Sequence, residues 1–372
     1  MIKLKTSILR DALNKVAKVC SFKPELPLTF LIEIKTEEDK LSVMGTDGLS
    51  TLIVNSKLDE PVESMRAVVD AKIVSNLLSK ITTEFVELNM NKQSLTITGN
   101  GVYELELRVD EAGEIVSFPL IEFNMDEAKD ELNLKSLVNK LLVSMNIIPE
   151  DFDDKELRYC YVGDNVVTAG PSVITSIEND EDMKNKEFYF RPEYLNIITT
   201  LPYEKAKYLI NEENFIIGNN DFTLVTKRSK EDEEYLSQFK EVTYVNIKKL
   251  TEAELKNKAK INRSAILGLV DRLSLFVSEY ENYALYFKFM PDKLIVSSGR
   301  DNGKEEFSLK DPQTEGLVEY TVTYSLIDLK RQLEALNQDE VEIQFDNESE
   351  IIKFVDGKII EIVGPIDPEG AQ

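Results

Sequence analysis

The chain has 372 residues, of which 42% are apolar, and this size and composition suit two or three globular domains that each bury a core. Its formal net charge of −24 argues against a generally basic nucleic-acid-binding protein. The absence of histidine removes most metal sites and the usual general base near neutral pH, but a Mg²⁺ site made of carboxylates alone stays open.

Two further features indicate the compartment. Cys20 and Cys160, the only cysteines, lie in apolar contexts and predict free buried thiols in a reducing environment. No apolar run reaches the length of a membrane span, and the N-terminus lacks the segments of a signal peptide. We therefore expect a cytoplasmic protein.

The chain opens with a predicted strand over 2–5 and a predicted helix over 7–20, whose apolar residues recur at helical spacing. A proline-marked loop over 22–27 follows, because each proline disfavours helix at the residue before it. A second helix is predicted over 71–81. Apolar runs bounded by turn residues predict strands at 28–34, 41–44, 49–54, 85–90 and 95–98.

A helix followed by two strands and a tight turn occurs three times along the chain. The copies lie about one domain length apart, which predicts tandem domains rather than a solenoid. The alternative is the chance recurrence of a common motif. The three helices are predicted over 71–81, 191–201 and 325–336, and the turns at Gly99-Asn-Gly101, Gly218-Asn-Asn-Asp221 and Asp356-Gly357.

Two charged stretches, 126–131 and 248–260, separate the copies. We therefore predict three domains, at 1–124, 125–247 and 248–372.

The second and third domains begin with predicted helices near 133–146 and 261–277. In the latter helix, Leu275 lies on the face away from the apolar stripe, either as an ordinary exposed leucine or as part of a subunit contact. The acidic run 230–234 is predicted to be a surface loop.

Basic residues are concentrated on the predicted helices, whereas the strands and loops are strongly acidic. If the helices share one surface, that surface would attract a polyanion and the rest of the molecule would repel it. The alternative is that lysine simply favours helices, but glutamate should then favour them equally. The helices counted are 7–20, 70–81, 133–146, 191–201, 258–272 and 325–337.

Several segments, in order along the chain, carry a family resemblance. They are the opening strand and helix, Lys23-Pro-Glu-Leu-Pro27, Leu41-Ser-Val-Met-Gly-Thr-Asp47, Leu157-Arg-Tyr-Cys-Tyr-Val162, 261–279 and Tyr320-Thr-Val-Thr-Tyr-Ser-Leu-Ile-Asp328. No single motif is decisive, but the order and spacing of these segments across three repeats are specific. Along essentially its whole length, the chain thus resembles the bacterial-type DNA polymerase sliding clamp, the β subunit of DNA polymerase III.

The resemblance implies an α+β fold of three tandem clamp-fold domains, each with two helices packed on antiparallel sheets. Two chains would join head to tail as a homodimer and close a six-domain ring. Such a ring encircles double-stranded DNA regardless of sequence and acts as a processivity factor: it tethers a DNA polymerase and binds the clamp loader through short peptide motifs. The resemblance implies neither catalysis nor a cofactor, and it implies the cytoplasm of a bacterium or of a phage-infected host.

For DNA contact, the resemblance points most clearly to Lys23 in the proline-marked loop. It also aligns Arg158 and Tyr159 with a segment close to DNA. The remaining predicted contacts follow from their position on helices and from their charge: Arg10, Lys15, Lys18, Lys72, Lys80, Lys135, Lys140, Lys260 and Arg263.

Partners of this family insert a short peptide into a groove between the second and third domains. Two departures put the partner specificity in doubt and favour a divergent or phage-encoded replication system. The segment Thr168-Ala-Gly-Pro-Ser172 lacks the histidine and arginine of the family, and residues 367–372 run beyond its usual C-terminus. Residues that match the groove are Tyr161, Ile174, Gly364, Pro365 and Ile366, with Arg158 nearby.

The resemblance also implies the dimer contact. Tyr103 and Leu105 match one side of it, whereas Leu275 and Phe276 match the other, which would give the outward-facing leucine a role.

Two other classes of function stay open. An enzyme would need a site such as Asp151-Phe-Asp-Asp154 or Asp301-Asn-Gly303, but neither fits a calcium-binding EF-hand loop, and no nucleotide-binding glycine pattern is present. A clamp-fold module that binds peptides as a decoy, without encircling DNA, is the second alternative.

Overall fold

The computed structural model describes residues 1–21, 26–118, 127–128, 130–145, 159–181, 183, 186–191, 194–201, 203–228, 230–279, 282–299 and 302–368. The chain divides into two compact units. Unit 1 comprises Met1–Ser136 and Glu193–Asp232, and unit 2 comprises Leu137–Pro192 and Glu233–Gln372.

The helices of the described residues are α1 (Thr6–Val16), α2 (Ala71–Lys80), α3 (Leu134–Met145), α4 (Leu195–Ile198), α5 (Lys230–Gln238), α6 (Val245–Glu252), α7 (Arg263–Leu273) and α8 (Leu326–Ala335). A π-helical segment, Phe239–Tyr244, joins α5 to α6, and short 3₁₀ turns lie at Pro27–Phe30 and Ser274–Phe276.

The strands are β1 (Ile2–Lys5), β2 (Leu31–Thr46), β3 (Ser50–Asp70), β4 (Phe85–Met90), β5 (Ser94–Thr98), β6 (Val102–Glu106), β7 (Asp130–Asn133), β8 (Cys160–Val162), β9 (Asn165–Ala169), β10 (Val173–Glu178), β11 (Phe188–Phe190), β12 (Lys205–Ile210), β13 (Asn214–Gly218), β14 (Phe222–Lys227), β15 (Asn257–Asn262), β16 (Ala284–Phe289), β17 (Lys293–Ser298), β18 (Lys304–Ser308), β19 (Lys310–Gln313), β20 (Tyr320–Ser325), β21 (Glu340–Phe345), β22 (Ile352–Asp356) and β23 (Ile359–Val363).

Unit 1 contains two antiparallel sheets. One has four strands in the order β1-β4-β5-β6, and the other has six in the order β2-β3-β14-β13-β12-β7. Helices α1 and α2 pack together and bury their apolar stripes, with Leu9 and Leu13 of α1 and Val74 and Leu78 of α2 fully buried. The apolar spacing predicted from the sequence is thus the spacing that fills this core.

Unit 2 also contains two antiparallel sheets. Nine strands form the order β11-β8-β9-β10-β23-β22-β21-β15-β19, and four form the order β18-β17-β16-β20. Helices α7 and α8 pack together, and their Ile266, Val270, Leu329 and Leu333 are completely buried.

The predicted repeat is visible in the order of elements. Three times, a short strand leads directly into a helix, as β1 into α1, β7 into α3 and β15 into α7. Three times, a second helix is followed by two paired strands, as α2 by β4 and β5, α4 by β12 and β13, and α8 by β21 and β22. The α+β class predicted from the sequence is therefore confirmed.

Polar residues at the strand ends start several of these helices. The side chain of Asp70 accepts a hydrogen bond from the Ile73 amide at 2.9 Å, and Asn262 does the same for the Ala265 amide at 2.8 Å. Such a cap stabilises a helix by about 1 kcal/mol, because it satisfies one of the four free amides of the first turn. A strand that ends in Asp or Asn therefore also sets the start of the next helix.

The structure differs from the sequence prediction in the segment that precedes β15. The acidic run 230–234, predicted to be a loop, lies in α5, and the helical segment continues to Glu252. Its buried anchors, Phe239 and Ile247, and the half-buried Tyr244 do not follow the spacing of an α-helix, because a π-helical turn separates them. The periodicity test therefore misses this element.

The two compact units follow the sheets rather than the three predicted domains. Strand β3 pairs with β14 and β10 pairs with β23, so each of the two larger sheets crosses one predicted domain boundary. The division at 1–124, 125–247 and 248–372 stays a prediction.

Both cysteines are free thiols, as predicted, and burial raises the pKa of Cys160 to about 12. Among the described residues, no helix is long and apolar enough to cross a membrane. Within the same residues, no group of three or more side chains could hold a metal ion. The acidic cluster 151–154, and Asp301 of the cluster 301–303, lie outside the described residues.

Candidate functional site

The residues that match the peptide groove meet at one end of the large sheet of unit 2. Strand β10 pairs with β23 so that Ile174 faces Ile362, and the chain then leaves the sheet. Beyond that point the Gly364 amide donates to the Ser172 carbonyl at 2.6 Å, and the Ile366 amide donates to the Thr323 carbonyl at 2.9 Å. These bonds hold the segment 364–366 beside Ile174.

Helix α8 fixes the turn between β9 and β10. The Ser172 hydroxyl donates to the Asp328 carboxylate at 2.6 Å, and Asp328 lies in the first turn of α8. The family resemblance aligns Ser172 with a basic residue; here the position carries a hydroxyl group that is hydrogen-bonded within unit 2. Pro365 is exposed, and Ile174 and Ile366 are half-buried. The exposed groove surface is therefore mainly apolar.

Tyr161 lies on β8 in the same sheet, but it is covered by the chain itself. It is only 2% exposed and packs with Val167, Ala169, Phe239 and Ile247 in one buried cluster. Its ring centroid lies 4.2 Å from that of Tyr244 and 5.3 Å from that of Tyr189. The segment 239–247 thus covers Tyr161, at one end of the predicted groove.

Polar contacts fasten this segment. The Tyr161 hydroxyl donates to Glu187 at 2.8 Å, and the Lys240 ammonium pairs with the same carboxylate at 2.5 Å. The Tyr189 hydroxyl donates to the Leu236 carbonyl at 2.9 Å. The hydrogen bond from Lys240 holds the pKa of Glu187 below its usual value, whereas burial raises that of Tyr161. Glu187 therefore stays a carboxylate and accepts both bonds near neutral pH.

Sequence reasoning missed the residues that form this cover. Phe239, Tyr244 and Ile247 were assigned no role, because their spacing of five and three fits neither a strand nor a regular helix. Five apolar residues within the nine positions 239–247, directly after an acidic run, are the signal that could have found them.

Several predicted DNA-contacting side chains are engaged within their own unit. The Arg10 guanidinium donates to the carbonyls of Leu78, at 2.9 Å, and Ile81 at the end of α2. Lys15 pairs with Asp11 at 2.6 Å, and its ammonium lies 5.5 Å from the centroid of the Tyr203 ring. These two basic residues therefore also support the packing of unit 1.

In unit 2, the side chains of Lys140 and Lys260 are likewise engaged by acidic or amide groups of their own unit. Lys140 donates to Asp180 at 3.0 Å and to Asn179 at 3.1 Å. Lys260 lies on β15 rather than on a helix, within 3.5 Å of Asp311 and 3.8 Å of Glu340.

Three of the predicted DNA-contacting side chains are more available to a phosphate group. Lys18, Lys80 and Lys135 are exposed, and they make no ion pair within the described part of the chain. Lys72 is also exposed.

The remaining predicted contacts are less accessible or lie outside the described residues. Tyr159 is 8% exposed, with the Arg191 guanidinium 5.4 Å from its ring centroid, and Arg263 is half-buried. Lys23 and Arg158 lie outside the described residues.

The predicted dimer-contact residues lie at two sheet edges. Tyr103 and Leu105 lie on β6, the last strand of the four-stranded sheet in unit 1. Leu275 is 80% exposed and Phe276 is 44% exposed, in the turn after α7. Arg272 forms a double hydrogen bond to Glu305 of β18, at 2.8 and 2.7 Å, so that turn is fixed beside the last strand of the other four-stranded sheet.

Comparison with known proteins also indicates similarity to DNA sliding clamps. The model of the family of DNA polymerase III β subunits, N-terminal domain, matches residues 1–119. The β sliding clamp of Mycoplasma capricolum is 21% identical over 361 residues, which cover 93% of this chain and 92% of the relative. The β sliding clamp of Bacillus subtilis is 22% identical over 351 residues, with 91% and 90% covered.

Solved structures agree over the whole chain. The DNA polymerase III subunit β of Pseudomonas aeruginosa has a TM-score of 0.81 at 12% identity, covering 98% of this chain and 99% of that one. The β subunit of Thermotoga maritima has a TM-score of 0.78 at 15% identity, with 98% and 99% covered.

The fold is therefore that of the DNA sliding clamps, from one end of the chain to the other. The first 119 residues are similar to the N-terminal domain of DNA polymerase III β subunits. The identities of about one residue in five make the chain a divergent relative of the known clamps, as the altered turn at 168–172 predicts.

Proposed function

We propose that this protein is a DNA sliding clamp, a homodimeric ring of three domains per chain that encircles double-stranded DNA and holds a replicative polymerase on it. The observation that carries the proposal is the match of 98% of this chain to the clamp fold, with a TM-score of 0.81. A ring of this kind holds DNA by topology, so it needs neither a catalytic site nor tight binding.

The two exposed sheet edges support ring closure. Strand β6 ends one sheet of unit 1 and β18 ends one sheet of unit 2, and both alternate exposed with half-buried residues. An added Cβ at Gly303 would lie 2.9 Å from Phe276, so the exposed aromatic ring lies against the beginning of β18. Pairing β6 of one chain with β18 of another would remove two unpaired edges and cover Phe276 and Leu275.

DNA contact in this proposal is weak and independent of sequence. Lys18, Lys80 and Lys135, together with Lys23, supply charges that reach phosphates, whereas the net charge of −24 repels DNA from the rest of the surface. Phosphate contacts hold no base register, so they allow the ring to slide.

Partner peptides would bind to the exposed part of the groove. Because Tyr161 is buried, we propose that Ile174, Pro365 and Ile366 form its floor and that Tyr161 supports it from below. Val242 and Val245, 55% and 42% exposed on the covering segment, would add an apolar border. The clamp loader and the polymerase would compete for this surface.

Retention on circular DNA tests encirclement. The full-length protein is loaded on a nicked circular plasmid, separated from free protein at high salt, and then treated with a restriction enzyme that cuts the plasmid once. A ring stays on the circle and leaves the linear form by its ends. Equal retention on both forms would contradict the proposal and favour a module that does not encircle DNA.

A further inference from the structure

The strand framework of the groove in unit 2 occurs a second time, in unit 1. In unit 2, β9 and β10 form a hairpin in which Ala169 faces Ile174, and Ile174 faces Ile362 on β23. In unit 1, β2 and β3 form a hairpin in which Thr46 faces Thr51, and Thr51 faces Val225 on β14. Both hairpins have four residues between the facing pair.

The same backbone hydrogen bond closes both frameworks. The Lys227 amide donates to the Leu49 carbonyl at 2.8 Å in unit 1, as the Gly364 amide donates to the Ser172 carbonyl at 2.6 Å in unit 2. Counted from the paired residues, Lys227 takes the position of Gly364, and Thr51 takes that of Ile174. Unit 1 thus carries a structural counterpart of the peptide groove.

The two copies differ in what fills them. In unit 2, Phe239, Tyr244 and Ile247 of the same chain pack over the hairpin. In unit 1, Met44 of β2 and Ile115 pack against the buried cluster of Leu31, Val68 and Phe118, but within the described residues the place beside Thr46 and Thr51 is an open cavity of about 490 Å³. This volume lies within the range of sites that bind a small ligand or a few side chains.

The walls of this unit 1 cavity are mostly apolar. Ile216 and Val225 form the buried part, and Leu26 and Leu49, each about half exposed, border the opening. The hydroxyl groups inside are already bonded: Thr51 donates to Thr46 at 3.0 Å, and Thr46 donates to the Ser50 carbonyl at 2.7 Å. An apolar side chain entering the cavity therefore leaves no buried hydroxyl without a partner.

Two charges of opposite sign also border the cavity. Glu213 and Lys227 are both exposed, and within the described residues neither side chain takes part in an ion pair. They are therefore available to an occupant that carries the complementary charges.

We propose that the unit 1 cavity is a docking site for a short peptide segment of a partner protein. The peptide would insert an aromatic or leucine side chain between Leu26 and Leu49, with an acidic residue toward Lys227 and a basic residue toward Glu213. A polypeptide is favoured over a small molecule because the counterpart in unit 2 is filled by polypeptide, with aromatic and aliphatic side chains. The site lies within unit 1 and does not require ring closure.

A phage-displayed library of short random peptides, selected on the full-length protein, tests the proposal. We expect enriched peptides with one aromatic residue or leucine between an acidic and a basic residue. Synthetic fluorescein-labelled versions are then titrated by fluorescence anisotropy. Leu49→Glu should weaken their binding roughly tenfold or more, because it places a charge in the apolar opening.

The matched control is Ile73→Glu, since Ile73 is 54% exposed against 53% for Leu49 and lies on α2 of the same unit. It should leave the affinity unchanged. In addition, Lys227→Glu should weaken binding of the selected peptides. It should restore binding of peptide variants in which lysine replaces the acidic residue. Circular dichroism of each variant verifies its fold.

Three results would overturn the proposal. The first is the absence of any enriched peptide. The second is unchanged affinity for Leu49→Glu. The third is binding that is lost on Pro365→Glu instead, because that result assigns the peptides to the groove of unit 2.

Discussion

The ring of Tyr161 packs against the ring of Tyr244 from its own chain, at a centroid distance of 4.2 Å and an interplanar angle of 44°. Tyr161 is the residue that the clamp resemblance assigns to the peptide groove. The contact means that the segment 239–247 is part of the folded core of unit 2, although it follows an acidic linker sequence. Mutations in this segment should therefore affect stability as well as partner binding.

Replacing Phe239 by alanine tests the core role of the segment. Phe239 is buried in the cluster around Tyr161, and its ring contacts Tyr189 at a centroid distance of 6.1 Å. We expect a loss of about 3 kcal/mol in the free energy of unfolding, because a buried aromatic side chain is removed and leaves a cavity. Urea unfolding followed by circular dichroism measures the change.

The control is Val242→Ala in the same segment, at a site that is 55% exposed. It should change the free energy of unfolding by no more than about 0.5 kcal/mol. If Phe239→Ala is as mild as Val242→Ala, the segment does not belong to the core.

The dimer contact is tested by a charge in the exposed turn after α7. Leu275→Asp combined with Phe276→Asp should raise the dissociation constant of the homodimer about a hundredfold. The reason is that both introduced carboxylates would have to be buried where apolar side chains lie at the proposed interface. Sedimentation velocity over a range of protein concentrations measures it. Val318→Asp serves as the control, since Val318 is 74% exposed and lies outside the proposed contact. A dimer insensitive to the double substitution would assign Leu275 to ordinary surface.

The exposed lysines are tested by the salt dependence of DNA binding. Each of Lys18→Ala, Lys80→Ala and Lys135→Ala should make the slope of log K against log salt shallower by about 0.9 for each copy that contacts a phosphate, and so by about 1.8 for the two copies in the homodimer. Fluorescence anisotropy with a labelled duplex provides the constants. Lys310→Ala is the control, because Lys310 pairs with Glu340 at 2.7 Å and lies on β19. Equal slopes for all four variants would contradict the assignment of these lysines to DNA.

Much of the fold could be predicted because its elements obey simple periodicities. Each of the six predicted helices contains a helix in the structure, and the turn at Asp356-Gly357 joins β22 to β23, with Gly357 at a φ of +60°. The largest error in length is α4, which has four residues where a helix over 191–201 was predicted. The β-branched run Ile197-Ile198-Thr199-Thr200 and Pro202 both disfavour a longer helix.

The candidate site was less predictable, because it depends on contacts between residues far apart in sequence. Charge and helix position selected Lys15 and Lys140 for DNA contact, but they did not indicate the ion pairs that these lysines form with Asp11 and Asp180. Likewise, the resemblance placed Tyr161 in the groove, whereas nothing local indicated that the segment around Tyr244 would cover it. The pairing of β3 with β14, which builds the unit 1 cavity, joins strands about 170 residues apart and has no local signature.

A last prediction concerns a buried carboxyl group. Glu361 is completely buried on β23, where its Oε2 accepts a hydrogen bond from the Thr175 hydroxyl at 2.5 Å. Burial raises the pKa of Glu361 well above its usual value of 4.5. The folded chain therefore keeps a proton that the unfolded chain releases above about pH 4.5, so the contribution of this group to stability is greatest below that pH and falls as the pH rises toward the folded pKa.

Glu361→Gln places a neutral amide where the neutral carboxyl lies and removes this linkage. Urea unfolding from about pH 4 to about pH 8 should show the variant gaining stability relative to the parent as the pH rises. The reason is that ionisation of Glu361 stabilises the unfolded state of the parent, whereas the variant has no carboxyl group to ionise at this position. Glu315→Gln, at an exposed site, is the control and should give a difference that does not change with pH in that way. A constant difference for Glu361→Gln across this range would mean that the carboxyl is ionised in the folded protein.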